Sequence, residues 1–162
     1  MIRLIPYTDK IYVSCERGSM WSYFLLMRAW LQSDGSLFNI TSMPSSCYDE
    51  GAVSNLINDC AVFTLLLGDA TKYSAWSLYE LKKAIEFNKP VIVLNLNGLR
   101  VKDNVRCPIE LDKYVSIHIA FASKILQHAV SNWPDFLANR RKVSECGYYF
   151  YAADVYKGLG MV

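Results

Sequence analysis

No run of apolar residues in this chain approaches the roughly 18 that a membrane span requires. Its five cysteines are odd in number and no two are spaced CxxC, so neither a disulfide framework nor a zinc site is signalled, and no metal is expected. Excess charge is nearly absent. The 17 Lys and Arg against 15 Asp and Glu leave +2, and the basic residues form no single block, which argues against a nucleic-acid partner. The densest basic group, Asn139-Arg-Arg-Lys142, reads as a solvated helix end. Histidine occurs only at His118 and His128. Neither is placed near Cys15, so the sequence offers little for Cys/His nucleophilic chemistry. There is no internal repeat, low-complexity segment or linker. After one Arg the start turns polar by Tyr7-Thr-Asp-Lys10, unlike a secretory leader. A cytoplasmic protein without a membrane partner is expected.

What is present is a core-forming composition. The 162 residues are 52% hydrophobic and 14% aromatic, with 11 Tyr, enough for one domain with a full core. The chain is organised around 60–96. Ala61–Leu67 is a continuous apolar run, as in a strand buried on both faces. Gly68 breaks it, and Thr71, Lys72 and Ser74 follow in a loop. A helix is expected over about 76–87, with Leu78, Leu81 and Ile85 toward the sheet and Lys82, Lys83 and Glu86 toward water. Asn88 and Pro90 stop it, and Val91–Leu96 is a second apolar strand. Strand, helix and strand make a βαβ unit.

The flanking segments extend this pattern. Strands are expected at 10–14, 37–40 and 115–121, with helices at 19–32, from Asp49 or Glu50 to Asn58, and at 123–132. Pro134 is expected to interrupt, with a further helix over 135–142. A Tyr-rich tail over 148–160 holds a short helix near 153–158. Five strands alternating with helices predict a five-stranded parallel sheet covered on both faces, flavodoxin-like in kind.

Several of these residues together resemble a known family. They are the first strand ending in Ser14, the apolar strand Val62–Leu67 with Gly68 behind it, Trp76-Ser-Leu-Tyr-Glu80 with Ala84 a turn later, and Lys89-Pro-Val-Ile-Val93. They resemble a TIR-like domain and, more narrowly, the ThsB family of the Thoeris anti-phage system. Trp-x-x-Tyr-Glu followed by Lys-Pro and an apolar strand is the most specific part. The tail Asp154-Val-Tyr-Lys-Gly-Leu159 also resembles that family's tail. The likeness covers most of 10–133. It departs at Cys15-Glu-Arg-Gly-Ser-Met-Trp21, which lacks the acidic pair of many TIR domains, and at the loop 41–48. It implies a single TIR-like domain over 1–162, with a C-terminal extension from about 140.

The implied activity is cleavage of the nicotinamide–ribose bond of NAD, which is substrate and not resident cofactor. The implied product is an ADP-ribose-derived nucleotide messenger that activates a ThsA-type effector after a phage-derived trigger. Self-association is also implied. The catalytic glutamate maps onto Glu80, with Trp76 and Tyr79 from the same motif. Nicotinamide leaves as a neutral group, so one carboxylate suffices where ordinary glycoside hydrolysis uses two. It would bond the ribose hydroxyls and face the developing oxocarbenium charge. Ser14, Gly68 and Tyr73, expected at adjacent strand ends, complete the candidate substrate-binding set. Competing readings stay open. Ser77-x-x-Glu80 also fits a capping box. Trp76 and Tyr79 also fit packing roles. The domain also fits a non-catalytic interaction module, or an enzyme resembling a nucleoside deoxyribosyltransferase.

Overall fold

The computed structural model describes residues 10–16, 20–32, 38–43, 48–140 and 147–162. Several expectations lie outside these residues: Ser19 as a helix start, the turn 33–36, Pro44, Cys47, Lys142 and Cys146.

The first half alternates strands and helices: β1 (Lys10–Ser14), α1 (Trp21–Gln32), β2 (Asn39–Thr41), α2 (Glu50–Asp59), β3 (Val62–Leu67) and α3 (Ala75–Glu86). The second half continues with β4 (Val91–Asn95), β5 (Ser116–Ala120), α4 (Ser123–Arg140), β6 (Tyr148–Phe150) and α5 (Ala153–Gly158). All strand pairs are parallel, in the order β2-β1-β3-β4-β5-β6. This is the flavodoxin-like order 2-1-3-4-5 with one strand added at the far edge. The chain leaves β1 for β2 on one side and returns to β3 on the other, so the topological switch lies between β1 and β3.

Each face of the sheet has its own core. One is closed by Phe24, Met27 and Leu31 of α1, Ile125, Ala129 and Trp133 of α4, and Tyr156 of α5, over Ile11, Val13 and Leu66. The other is closed by Val53 and Ile57 of α2 and Leu81 and Ala84 of α3, over Tyr12, Phe63 and Leu65. β3, β4 and β5 are buried at every position, which is why they read as near-continuous apolar runs.

Local chemistry sets the helix ends. Asp49 caps α2, its carboxylate accepting from Gly51 N at 2.8 Å and Ala52 N at 3.2 Å. Ser74 caps α3, its hydroxyl accepting from Ser77 N at 3.3 Å. Asn88, at φ 55°, ends α3 in the left-handed region that asparagine tolerates.

Two expectations are corrected. The sheet has six strands, not five. The sixth, Tyr148–Phe150, is only three residues long, and it pairs Ser116 with Tyr148 and His118 with Phe150. So short a strand carries no periodicity to read, and its partner decides it. Nor does Pro134 break the last long helix, for α4 runs from Ser123 to Arg140. Pro134 costs one bond to the Val130 carbonyl. The helix holds because Val130 and Trp133 are buried against the sheet and Phe136 stacks on Trp133 at 5.4 Å, carrying packing past the proline.

A candidate active site at the switch point

α3 turns a different face to the sheet from the one its leucines suggest. Its buried residues are Ser77, Glu80, Leu81 and Ala84, while Leu78 and Ile85 are half-buried. A carboxyl and a hydroxyl therefore point inward beside two apolar side chains. The reason is β1. Strand alternation places Tyr12 and Ser14 on one face, the face that α3 covers. The Tyr12 phenol donates a hydrogen bond to Glu80 Oε2. Without such a bond, burying a carboxyl would be costly. Glu80 has no solvent exposure.

Two further hydroxyls stand one step toward the carboxyl ends of the strands. Ser14 lies two residues beyond Tyr12 on β1, and Ser77 lies three residues before Glu80 on α3. Both are buried, and neither Oγ has a hydrogen-bond partner among the described residues. Unpaired buried hydroxyls are uncommon, because each forfeits its bonds to water.

The capping alternative for Glu80 does not hold. Ser74, not Ser77, is the cap of α3, so Glu80 sits in the second turn, beyond the third helical position that a capping-box acid occupies. Trp76 is one turn before Glu80, partly exposed, and stacks on Tyr48 with centroids 4.6 Å apart and planes 10° apart. Tyr79 turns toward α2, where its hydroxyl donates to the Glu50 carbonyl at 3.1 Å. Tyr73 is 78% exposed in the 3-10 turn Thr71–Tyr73. It lines a separate groove with Leu78, Val105 and Ile109. The structure therefore brings Tyr12 and Glu80 together, with Ser14 two residues on along the same face of β1, and it places Tyr73 in the separate groove. Sequence reading missed Tyr12 and the inward face of Ser77. The alternation in Lys10-Ile-Tyr-Val-Ser14 pairs Tyr12 with Ser14, but nothing in it says which helix they meet.

Gly68 follows β3 on the other side of the strand end. Its N–H donates to Thr71 Oγ1 at 2.9 Å. An added Cβ would fall 2.5 Å from Met20 Cε, so the missing side chain lets Met20 close over the strand end. Here a cleft of about 400 Å³ opens between α1 and the ends of β3 and β4. On its rim Arg106 Nε donates to Asp69 Oδ1 at 2.6 Å and Nη1 to Asp103 Oδ2 at 3.0 Å. Burial pushes the Asp103 carboxyl up, but bonds from Arg106, Val105 N and Asn97 outweigh it and hold the group below its ordinary range.

The remaining nucleophile candidates are quiet. Cys15, Cys60 and Cys107 are buried and none is in a disulfide among the described residues. Burial pushes Cys60 and Cys107 up to about 11, so neither is a thiolate near neutrality. His118 is buried on β5, with its Nε2 3.0 Å from Ser116 Oγ. Among the described residues no group of three or more His, Cys, Asp or Glu could hold a metal. No helix among them is long and apolar enough to cross a membrane.

No family model matches the chain, and no curated protein matches it. Among solved structures, it is similar to a diflavin flavoprotein A3 from Nostoc sp. at 11% identity, with a TM-score of 0.46. That match covers 83% of this chain and 96% of the other. The likeness is too distant to bear on ligand or activity.

Proposed function

We propose that this protein is a TIR-class signalling enzyme of a Thoeris-type anti-phage system. It cleaves the nicotinamide–ribose bond of NAD and forms an ADP-ribose-derived, cyclic messenger for a ThsA-type effector. The observation that carries the reading is Glu80, a carboxyl on the inward face of α3 beside the β1/β3 switch point. Open α/β sheets place ligands at such points. In the proposed reaction the Glu80 carboxylate bonds the ribose hydroxyls and offsets the charge that develops as neutral nicotinamide departs. Tyr12 fixes the carboxylate from below. Ser14 and Ser77 offer hydroxyls to the substrate, and Trp76 provides an aromatic wall.

A second reading has its own observation. Glu80 is wholly covered here, and a carboxyl that stays covered is a structural group in a non-catalytic interaction module. On the enzyme reading, the groups over Glu80 move aside when the trigger arrives, so the resting protein turns over slowly.

The test is nicotinamide release from NAD by wild-type protein and Glu80→Gln. Both are assayed purified and in lysates of phage-infected cells, with products resolved by mass. Release that depends on Glu80 is expected in infected lysate. No release there across several phages, with Glu80→Gln still protecting cells, refutes the enzyme and leaves the module.

A further inference from the structure

We propose that the open edge of β6 binds a second copy of this chain, strand to strand and antiparallel, about a two-fold axis at Tyr149. β6 is the last strand of the sheet, and β5 pairs with one side of it. The Ser116 N–H donates to the Gly147 carbonyl at 3.3 Å, and Ser116 lies beside Tyr148. With that register the backbone groups of Gly147 and Tyr149 face β5, and those of Tyr148 and Phe150 face outward. None of these outward groups meets a hydrogen-bond partner among the described residues. Sheet edges are usually guarded by charge or by proline. The run Gly147-Tyr-Tyr-Phe-Tyr-Ala152 holds neither.

Symmetry and shape select the chain's own copy. Antiparallel pairing about Tyr149 sets Tyr148 opposite Phe150 twice, and each such pair exchanges two hydrogen bonds. Both outward N–H groups and both outward carbonyls of each copy are then satisfied. The same operation brings the rings of Tyr148 and Phe150 against their copies as aromatic cross-strand pairs. Each is 49% exposed, and they stack on one another at 6.3 Å. On the other sheet face Phe136, 36% exposed, packs against Tyr149 at 5.5 Å and borders the same edge. Lys102 stands over the Tyr148 ring at 5.2 Å, but its charge is paired with Asp112 at 3.0 Å, so two copies approach with little like-charge repulsion. Three rings per copy bury on the order of 500 Å² in all. That is less than the roughly 1,200 Å² of a standard interface, so the dimer is weak and forms with concentration.

The contact makes no use of Glu80, and it stands or falls apart from nicotinamide release. Sedimentation of the full chain over a concentration series tests it. A monomer–dimer equilibrium with a dissociation constant on the order of 10–100 µM is expected. Phe150→Lys and Tyr148→Glu, both at exposed positions, should each weaken the dimer about tenfold while the melting temperature stays near wild type. Phe150→Thr, which keeps strand propensity and loses the ring, should weaken it as well. An equimolar mixture of Phe150→Lys and Tyr148→Glu chains should regain association, because position 150 of one copy then meets position 148 of the other with opposite charge. A chain that stays monomeric to about 1 mM overturns the proposal and leaves the edge to another protein's strand or to none. So does association indifferent to these substitutions, or a mixture no tighter than either variant alone. Growth past the dimer also overturns it, since a two-fold contact closes.

Discussion

Lowering the pH from 7.5 to 5 should destabilise this protein through one residue, His118. The side chain is buried on β5, where its imidazole lies edge-on to Tyr148. Burial, assisted by the nearby Lys102 charge, lowers its pKa from 6.5 to about 4. The unfolded chain therefore takes up a proton near pH 6.5 that the fold refuses until about pH 4. In that window the unfolded state binds more protons, so stability rises with pH and falls as pH drops. With those two values, linkage gives a loss of about 2 kcal/mol between pH 7.5 and 5 and about 3 kcal/mol once pH is below 4. Ordinary carboxylates protonate mostly below pH 5, so the upper part of the window belongs to His118. Urea unfolding at pH 7.5, 6.5, 5.5 and 5 reads the effect. With a slope of about 2 kcal/mol per molar, the midpoint should fall by about 1 M. His118→Leu should flatten the pH dependence over that range whatever it does to absolute stability. A folded protein whose His118 titrates near 6.5 by NMR, or whose midpoint is level from pH 7.5 to 5, would refute the reasoning.

Three further outcomes follow from local contacts. Tyr12→Phe removes only the hydroxyl that meets Glu80 and should cost about 1–3 kcal/mol in urea unfolding; if Glu80 is catalytic, kcat for nicotinamide release should fall more than KM changes. Ser74→Ala should cost about 1 kcal/mol through loss of the α3 cap, whereas Ser77→Ala, whose hydroxyl has no described partner, should cost less than half of that; the reverse order in thermal melts would reinstate Ser77 as the cap. Pro134→Ala should stabilise by about 1–3 kcal/mol, since it restores a helix N–H inside α4, and an unchanged or lower melting temperature would mean that the proline geometry is needed for packing.

The parallel sheet was legible because β3 and β4 are buried on both faces, and burial on both faces demands unbroken apolar runs. The helix ends at Asp49 and Asn88 were legible because capping is local chemistry. The short tail helix was read at 153–158, where α5 lies. By contrast, β6 and the passage of α4 through Pro134 depend on partners distant in sequence: β5 for the first, the sheet beneath Val130 and Trp133 for the second.

The candidate site divides in the same way. A motif within one turn of helix picked out Trp76, Tyr79 and Glu80, and local sequence suffices for that. The face that α3 presents was not decided there, because three apolar residues, Leu78, Leu81 and Ile85, outweigh one glutamate in any helical count. It was decided by Tyr12, sixty-eight positions away, whose hydroxyl meets a buried carboxyl that would otherwise be costly to bury. Sequence by itself determined which segments become strands and helices, since backbone propensity and apolar spacing act over a few residues. Only the tertiary structure decided which polar groups share a buried face, because pairing strand β1 with helix α3 brings together atoms that no local pattern relates.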